Sequence, residues 1–323
     1  MSTIAPRIKR RMTVADVLIK YRTVVILLIL VGTFTILQSV FINPANLLNM
    51  LKRMSFVAIS AFGMTFVITL GGLDLSVGGT AAIVGVALAL MLGAGIPLLV
   101  ALLLCLLIAA ALGAINGVII VKGRIEPFLV TLATMNIFRG IALMATGGRP
   151  VPIVSEALIN FFGNGFLFGV IPIPVLITAV FFVVSWFLYK KTKFGFYTRA
   201  IGGNLEAARV AGIGIQSVKF LTYVINGVFA FFAGLILSAL MGSGIPSIAS
   251  DLPLDAISAV ILGGTAIAGG FGNILGTLGG ALIMSTLNSG MSILGAQYPV
   301  QIFVKGVVII FAVLLDNVVR PRN

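Results

Sequence analysis

Residues 98–121 read LLVALLLCLLIAAALGAINGVIIV, and this run decides the kind of fold that the chain adopts. It contains no charged side chain and is long enough to cross a membrane as one helix, because about 20 apolar residues span the hydrocarbon core. Counted with it, the candidate spans are centred near residues 33, 63, 83, 109, 137, 177, 231, 262, 283 and 308. We therefore expect an all-α polytopic membrane protein with about ten transmembrane helices, in which residues 1–323 form a single transmembrane domain.

The composition agrees with a chain that folds in lipid. Of the 323 residues, 60% are hydrophobic and 9% are charged, which is typical of polytopic membrane proteins rather than soluble domains. The 38 glycines fit the same class, since small residues let membrane helices approach closely. The net charge of +13 does not indicate a nucleic-acid partner, because the lysines and arginines follow the topology. The lipid bilayer is the expected environment.

The residues present make enzyme chemistry within this sequence an unfavoured reading. The sequence contains no histidine, which removes the usual general base, the common nucleophile systems and most zinc sites. Its single cysteine, Cys105, excludes an intramolecular disulfide. Leu75–Gly79 (LSVGG) looks like the signature loop of ATP-binding cassettes, but the Gly-Lys dipeptide of a phosphate-binding loop is absent from the sequence. We expect no catalytic residue, no metal and no cofactor here, and if ATP drives the protein, another subunit binds it.

Basic residues predict the orientation in the membrane. Residues 1–22 are rich in lysine and arginine, so we expect them to be cytoplasmic, and an even number of spans places both termini there. Few cations remain outside, and these, with one carboxylate, are candidates for docking an outer partner. They are Lys52, Arg53, Arg149 and Asp251. Arg139 and Lys305 fall within apolar runs, so each either reaches the interface or faces the bundle interior.

Residues 190–219, called the island below, are the longest polar stretch between two spans and are predicted to be a cytoplasmic loop. Within the island, residues 203–212 predict a short helix that begins at Asn204, a favoured N-cap, and ends at Gly212. Glu206 and Arg209 can pair on one face of it. Such a helix has nothing of its own to pack against, so we interpret it as a docking element for a soluble partner. The spacing alone fits a plain solvated loop equally well.

Two glycine-rich breaks interrupt the apolar pattern, Gly71–Gly79 in the first half and Gly263–Asn273 in the second. Asp74 in the first break is a candidate functional carboxylate, but capping of the following helix explains it better. Asp251 and Asp255 can form a metal site or an acid–base pair. We favour the alternative, in which they belong to a solvated outer loop and to the start of the next span. Other polar residues in or near spans either bond helices together or line a polar pathway. They are Asn116, Asn136, Arg139, Asn226 and Asn288.

Four segments, taken together, resemble the permease subunit of ribose-type ABC importers. They are Gly71–Gly78 (GGLDLSVG), Val121–Phe128 (VKGRIEPF) with Ala133–Gly140 (ATMNIFRG), Gly202–Ile213 (GGNLEAARVAGI) and Leu254–Gly270 (LDAISAVILGGTAIAGG). The match runs in order along nearly the whole chain. The four segments together are specific for this family, although no single one of them would be enough to identify it.

The resemblance implies a type II importer-like permease of the bacterial inner membrane. Such a permease pairs with a second copy, or with a related subunit, and moves sugar inward by alternating access along the dimer axis. The implied partners are a cytoplasmic ABC ATPase, which carries the ATP and Mg²⁺, and a periplasmic sugar-binding protein. The island helix would be the coupling helix that rests in a groove of the ATPase. Its residues with that implied role are Gly203, Asn204, Glu206, Ala207, Arg209 and Gly212.

A second class of transporter stays open at this point. An ion-coupled secondary carrier for a small polar solute would need an intramembrane carboxylate, and Asp74 and Glu126 come closest to that requirement. The sequence does not indicate which sugar, if any, is carried.

Overall fold

The structure is a computed structural model that describes residues 22–319. The predicted basic segment, residues 1–22, lies outside the described residues except for Arg22, and so do Arg320 and Arg322. The described chain is mostly helical. Its α-helices are α1 (Arg22–Leu37), α2 (Pro44–Thr69), α3 (Val77–Gly93), α4 (Leu98–Gly123), α5 (Pro127–Thr146), α6 (Glu156–Leu158), α7 (Ile173–Lys191), α8 (Lys193–Gly203), α9 (Leu205–Val210), α10 (Ile215–Met241), α11 (Leu252–Leu262), α12 (Ile274–Ile293) and α13 (Tyr298–Val319).

Six of the described helices are both long enough and apolar enough to cross a membrane, namely α2, α4, α5, α7, α10 and α12. Shorter apolar helices occupy the other predicted centres, in α1, α3, α11 and the described part of α13. The chain is therefore a multi-pass membrane protein, as expected. The number of crossings, about ten, is not confirmed by these helix lengths.

The helix α2 forms the centre of the bundle. In its most apolar stretch 78% of the residues are buried, and α10 and α12 follow with 67%. The most apolar of the six, α4, has only 22% of that stretch buried. Apolar side chains on an exposed helix are expected where the surroundings are lipid, since lipid tails are as apolar as leucine. The outer helices therefore face the bilayer, and the core lies around α2.

Glycine allows a close helix crossing between α4 and α10. A Cβ atom on Gly113 would lie 2.4 Å from the carbonyl oxygen of Tyr223, and one on Gly227 would lie 2.4 Å from that of Ala109. Both neighbours are backbone atoms that cannot rotate away. The two helices can therefore pack this closely only with glycine at these positions.

Short strands close the loops at the end of the bundle where α5 and α10 finish. Strand β1 (Val151–Pro152) pairs antiparallel with β4 (Ser243–Gly244), and β2 (Phe166–Leu167) pairs with β3 (Ile171–Pro172). A 3-10 helix, Ser39–Ile42, follows α1, and a π-helix, Ile159–Asn164, follows α6. The pairing of β1 with β4 joins the loop after α5 to the end of α10.

Candidate functional site

The island folds into two helices, α8 and α9. The side chain of Thr192 accepts from the backbone N–H of Gly195 and begins α8, which the sequence analysis did not predict. The side chain of Asn204 accepts from the N–H of Ala207 at 2.9 Å and begins α9, at the predicted residue. After α9 the chain reverses at Gly212, whose φ of +75° suits a residue without a side chain.

One face of α9 packs against the bundle, so the expectation that this helix has nothing to pack against is wrong. Ala208 is buried in a small apolar cluster with Leu70, Ile201 and Val218. These residues come from the end of α2, from α8 and from the start of α10, which sequence spacing could not bring together. The cluster anchors α9 at a fixed place on the bundle.

The opposite face of α9 is open. Arg209 donates to both oxygens of Glu206, at 2.8 and 2.9 Å, while 62% and 71% of the two side chains stay exposed. Val210 is 88% exposed, although its side chain is aliphatic. The other residues with an implied coupling role, Gly203, Asn204 and Ala207, are also exposed. The predicted set thus forms one charged and partly apolar surface.

Gly202, at the end of α8, touches both halves of the chain, and the sequence analysis gave it no separate role. A Cβ atom there would lie 1.8 Å from the carbonyl oxygen of Thr69 and 2.6 Å from the backbone nitrogen of Gly270. These two neighbours are themselves bonded, since the N–H of Gly270 donates to Thr69 at 2.8 Å. The end of α2, the island and the second glycine-rich break therefore meet backbone to backbone. The Gly202-Gly203 dipeptide was the only sequence signal for this contact.

A buried polar network holds the first glycine-rich break. Asp74 is 1% exposed, and it accepts from the N–H and hydroxyl of Ser76 at 2.9 and 2.6 Å. Its other oxygen accepts from the side-chain amide of Asn226 at 2.8 Å, and Asn116 donates to the Ser76 hydroxyl at 2.7 Å. Asp74 therefore bonds to Ser76, the residue just before α3, rather than to the first turn of that helix, and it also bonds to Asn226 on α10. Asn116 and Asn226 thus act as bonds between helices.

A cavity of about 530 Å³ lies between this network and the island. Gly72 and Tyr223 form its inner wall, while Arg124, Glu126 and Arg209 lie around its mouth. The hydroxyl of Tyr223 is buried and has no hydrogen-bond partner among the described residues. The cavity therefore lies at the end of the bundle that carries the island, where the island and the first glycine-rich break both line it.

The remaining predicted residues are scattered. Asn136 is exposed on α5 and bonds only to its own helix, at the carbonyl of Leu132, among the contacts described. Arg139 is half-buried beside Gly78 and Gly79. Lys52 is 8% exposed, and its ammonium lies 4.7 Å from the centre of the Phe166 ring, which leaves little of it for a partner.

Asp251 and Asp255 pair with Lys305, which faces the bundle interior, and Asn288 lies beside them. This cluster combines carboxylates with an ammonium group. Among the side chains that the structure describes, no group of three or more histidine, cysteine, aspartate or glutamate residues is placed to hold a metal.

Comparison with known proteins assigns a family. A family model described as the branched-chain amino acid transport system / permease component matches residues 46–313. The chain belongs to this permease family. Both glycine-rich breaks, the island and the Asp74 network lie within the matched residues. A permease is a transport component, in line with the transport class expected from the sequence.

Among its relatives are sugar permeases that match almost end to end. The ribose import permease protein of Bacillus subtilis (strain 168) is 43% identical over 292 residues, 90% of each chain. The ribose import permease protein of Escherichia coli (strain K12) is 41% identical over 303 residues, covering 93% of this chain and 94% of the relative. An L-arabinose ABC transporter permease of Azospirillum brasilense is 35% identical over 300 residues, 93% of this chain and 88% of the relative. No solved structure gives a significant match.

Proposed function

We propose that this chain is the membrane-spanning translocation subunit of an ATP-driven, binding-protein-dependent importer that moves a monosaccharide inward across the bacterial inner membrane. The proposal rests on the surface of α9. This short helix is anchored through Ala208, and it exposes an ion pair and the aliphatic side chain of Val210. An exposed apolar side chain framed by charges suits a contact with another protein. The solute class follows from the relatives, which are named for ribose and L-arabinose.

In this proposal the energy enters from a separate ATPase subunit that holds the ATP and Mg²⁺. Its nucleotide-dependent closure displaces α9, and the contact of Gly202 with Thr69 and Gly270 passes the displacement to α2 and the second break. Two permease copies then rock about their interface and open the path to either side in turn. A periplasmic binding protein delivers the sugar. The island and both termini lie in the cytoplasm in this arrangement.

The alternative, an ion-coupled carrier, gives a different result with the purified chain. Asp74, the carboxylate best placed for ion coupling, already accepts from Ser76 and Asn226. We expect no sugar uptake by the chain alone in ATP-free liposomes under a proton or sodium gradient. Uptake should appear only when the ATPase and the binding protein that co-purify with the chain are added with ATP. Gradient-driven uptake by the chain alone would replace this proposal with the carrier.

Charge reversal on α9 is expected to uncouple transport. In Glu206→Lys and in Arg209→Glu, uptake should fall about tenfold or more while the ATPase continues to hydrolyse ATP, because like charges would meet across the contact. Lys193→Glu, on the exposed start of α8, is the matched control and should transport normally. Uptake and ATP hydrolysis are measured together in liposomes.

The double variant Glu206→Lys/Arg209→Glu distinguishes two roles of the ion pair. The pair either stabilises α9 itself or contacts a partner protein. It restores an ion pair of opposite polarity, so a purely internal role predicts recovery of uptake. We expect no recovery, since the partner would still meet the wrong charges. Normal uptake in both single variants would contradict the coupling role of α9.

Arg149 is expected to contribute to docking of the binding protein. It is exposed just after α5, on the outer side of the proposed topology. In Arg149→Glu the dissociation constant for the binding protein should rise about two- to fivefold at low salt, the size of a surface charge contribution. The difference should shrink as salt rises, since the Debye length falls to about 8 Å at physiological ionic strength. A salt-independent difference would show that Arg149 acts in another way.

A further inference from the structure

A buried ion cluster lies at the end of the bundle opposite to the island. The ammonium of Lys305 on α13 is 3.3 Å from Asp251 and 3.1 Å from Asp255, while only 12% of its side chain is exposed. Tyr298 donates its hydroxyl to Asp251 at 3.1 Å, and Asn288 on α12 donates to Asp255 at 3.4 Å. Burying charges is costly unless they are paired, so each member depends on the others. The cluster links α11, α12 and α13.

The cluster forms the wall of a cavity of about 160 Å³. The other polar residues of the lining are Arg53, Ser285, Asn288, Ser292, Tyr298 and Gln301. A second cavity of about 210 Å³, lined by Asn46, Asn49 and Ser289, shares Arg53 and Ser292 with the first. A water molecule occupies about 30 Å³ of liquid, so the two cavities have room for a small solute rather than for a single water.

The lining selects a class of solute. Its two cations, Arg53 and Lys305, balance its two carboxylates, Asp251 and Asp255, so that neither an anion nor a cation is favoured. The lining contains both hydrogen-bond donors and hydrogen-bond acceptors. The Oδ1 atom of Asn288 is buried and has no hydrogen-bond partner among the described residues, so it can accept from a ligand. Hydroxyl groups both donate and accept, and a neutral polyhydroxyl compound therefore fits this mixture best.

The position of the cavity fits entry of a solute. It lies at the beginning of α2, whereas the end of α2 meets the island at Gly202. Tyr298 contributes an aromatic ring that is half exposed at the mouth. Pockets that combine a few convergent polar groups with an aromatic wall are typical of small-molecule sites. A purely structural ion cluster would require neither the unpartnered amide oxygen nor the adjoining polar cavity.

We propose that the cavity bounded by Lys305, Asp251, Asp255 and Asn288 is a low-affinity binding site for a neutral monosaccharide at the outer end of the permease. This inference rests on the proposed function and adds to it a site within the chain itself. The amide of Asn288 contacts a sugar hydroxyl. The ion cluster holds α11 and α13 in place around the sugar.

The test is direct binding to the full-length chain in nanodiscs, without ATPase or binding protein. Saturation-transfer NMR is recorded with D-ribose and L-arabinose as probes, and with sodium gluconate as an anionic polyol. We expect transfer to both sugars and little to gluconate. In Asn288→Leu the dissociation constant of the sugar, from a titration of the signal, should rise about tenfold, the effect of losing one well-placed hydrogen bond. Asn136→Leu replaces an exposed asparagine outside the cavity and should bind as the unmodified chain does.

Each outcome bears on the proposal. No transfer to either sugar, or an unchanged dissociation constant in Asn288→Leu, would overturn the site. Equal binding of gluconate would overturn the preference for a neutral solute. If Asn288→Leu does not fold, Arg53→Gln tests the same wall at an exposed position and should also weaken binding. ATP-dependent uptake by the complete transporter is measured in parallel, so that the site can fail while the importer assignment stands.

Discussion

Gly202→Ala is expected to abolish uptake and to lower the melting temperature, whereas Gly203→Ala should keep the melting temperature of the unmodified chain. The added methyl group at residue 202 would lie 1.8 Å from the carbonyl oxygen of Thr69, which is a backbone atom with no freedom to rotate. At residue 203 the nearest atom is Cα of Gly270, at 3.8 Å, an ordinary contact. The two adjacent glycines thus form a matched pair that differs in available space.

Gly202→Ala destabilises the protein because a helix must move to make room for the methyl group. To admit the methyl group, α8 has to shift away from α2 and break the hydrogen bond between Gly270 and Thr69. Overpacking alone costs about 1–3 kcal/mol, and more where only backbone can yield. Uptake, purified yield and melting temperature are measured for both variants. A Gly202→Ala protein with normal uptake and melting temperature would show that α8 does not pack against α2 in this way.

Asp74→Leu is expected to unfold the first glycine-rich break, while Asp74→Asn should fold. Leucine removes the acceptor for three donors at once, from the backbone and hydroxyl of Ser76 and from the amide of Asn226. Each buried donor left without a partner costs about 1–3 kcal/mol. Asparagine keeps an oxygen for Ser76, and Asn226 can turn its amide so that its own unpartnered oxygen accepts instead. The melting temperature in detergent measures the difference.

The same pair of variants separates a structural carboxylate from an ion-coupling one. If Asp74 holds α3 and α10 together, the folded Asp74→Asn protein should retain most ATP-dependent uptake. If its charge carried a coupling ion, Asp74→Asn would fold and yet fail to transport. A loss of uptake without a loss of stability would therefore favour the ion-coupled carrier.

Local chemistry explains which parts of this protein could be predicted from sequence. The beginning and end of α9 follow from Asn204 and Gly212, because caps depend on residues within one or two turns. All of the predicted span centres fall within apolar helices, since long apolar runs are local features too. The helix α8 was missed because its Gly202-Gly203 ending and polar composition resemble a loop.

The rest depends on contacts between residues far apart in the chain. Lys305 is read from sequence only as a charge in an apolar run, and its pairing with Asp251 and Asp255 appears once α11 and α13 are packed together. Thr69 and Gly270 lie on either side of the island in sequence, and nothing near Gly202 indicates that it fits between them. Spacing rules cannot supply such contacts, because they are products of the assembled bundle.

The contact of Gly202 with Thr69 and Gly270 also determines how rigidly the island is connected to the two halves of the bundle. Side chains can change rotamer and absorb a small displacement, but three backbone segments in direct contact can hardly move relative to one another. A push on the exposed surface of α9 would therefore reach the first and second halves of the chain together, through a single rigid joint. Such a joint favours two distinct positions of the bundle over a gradual series of intermediate ones.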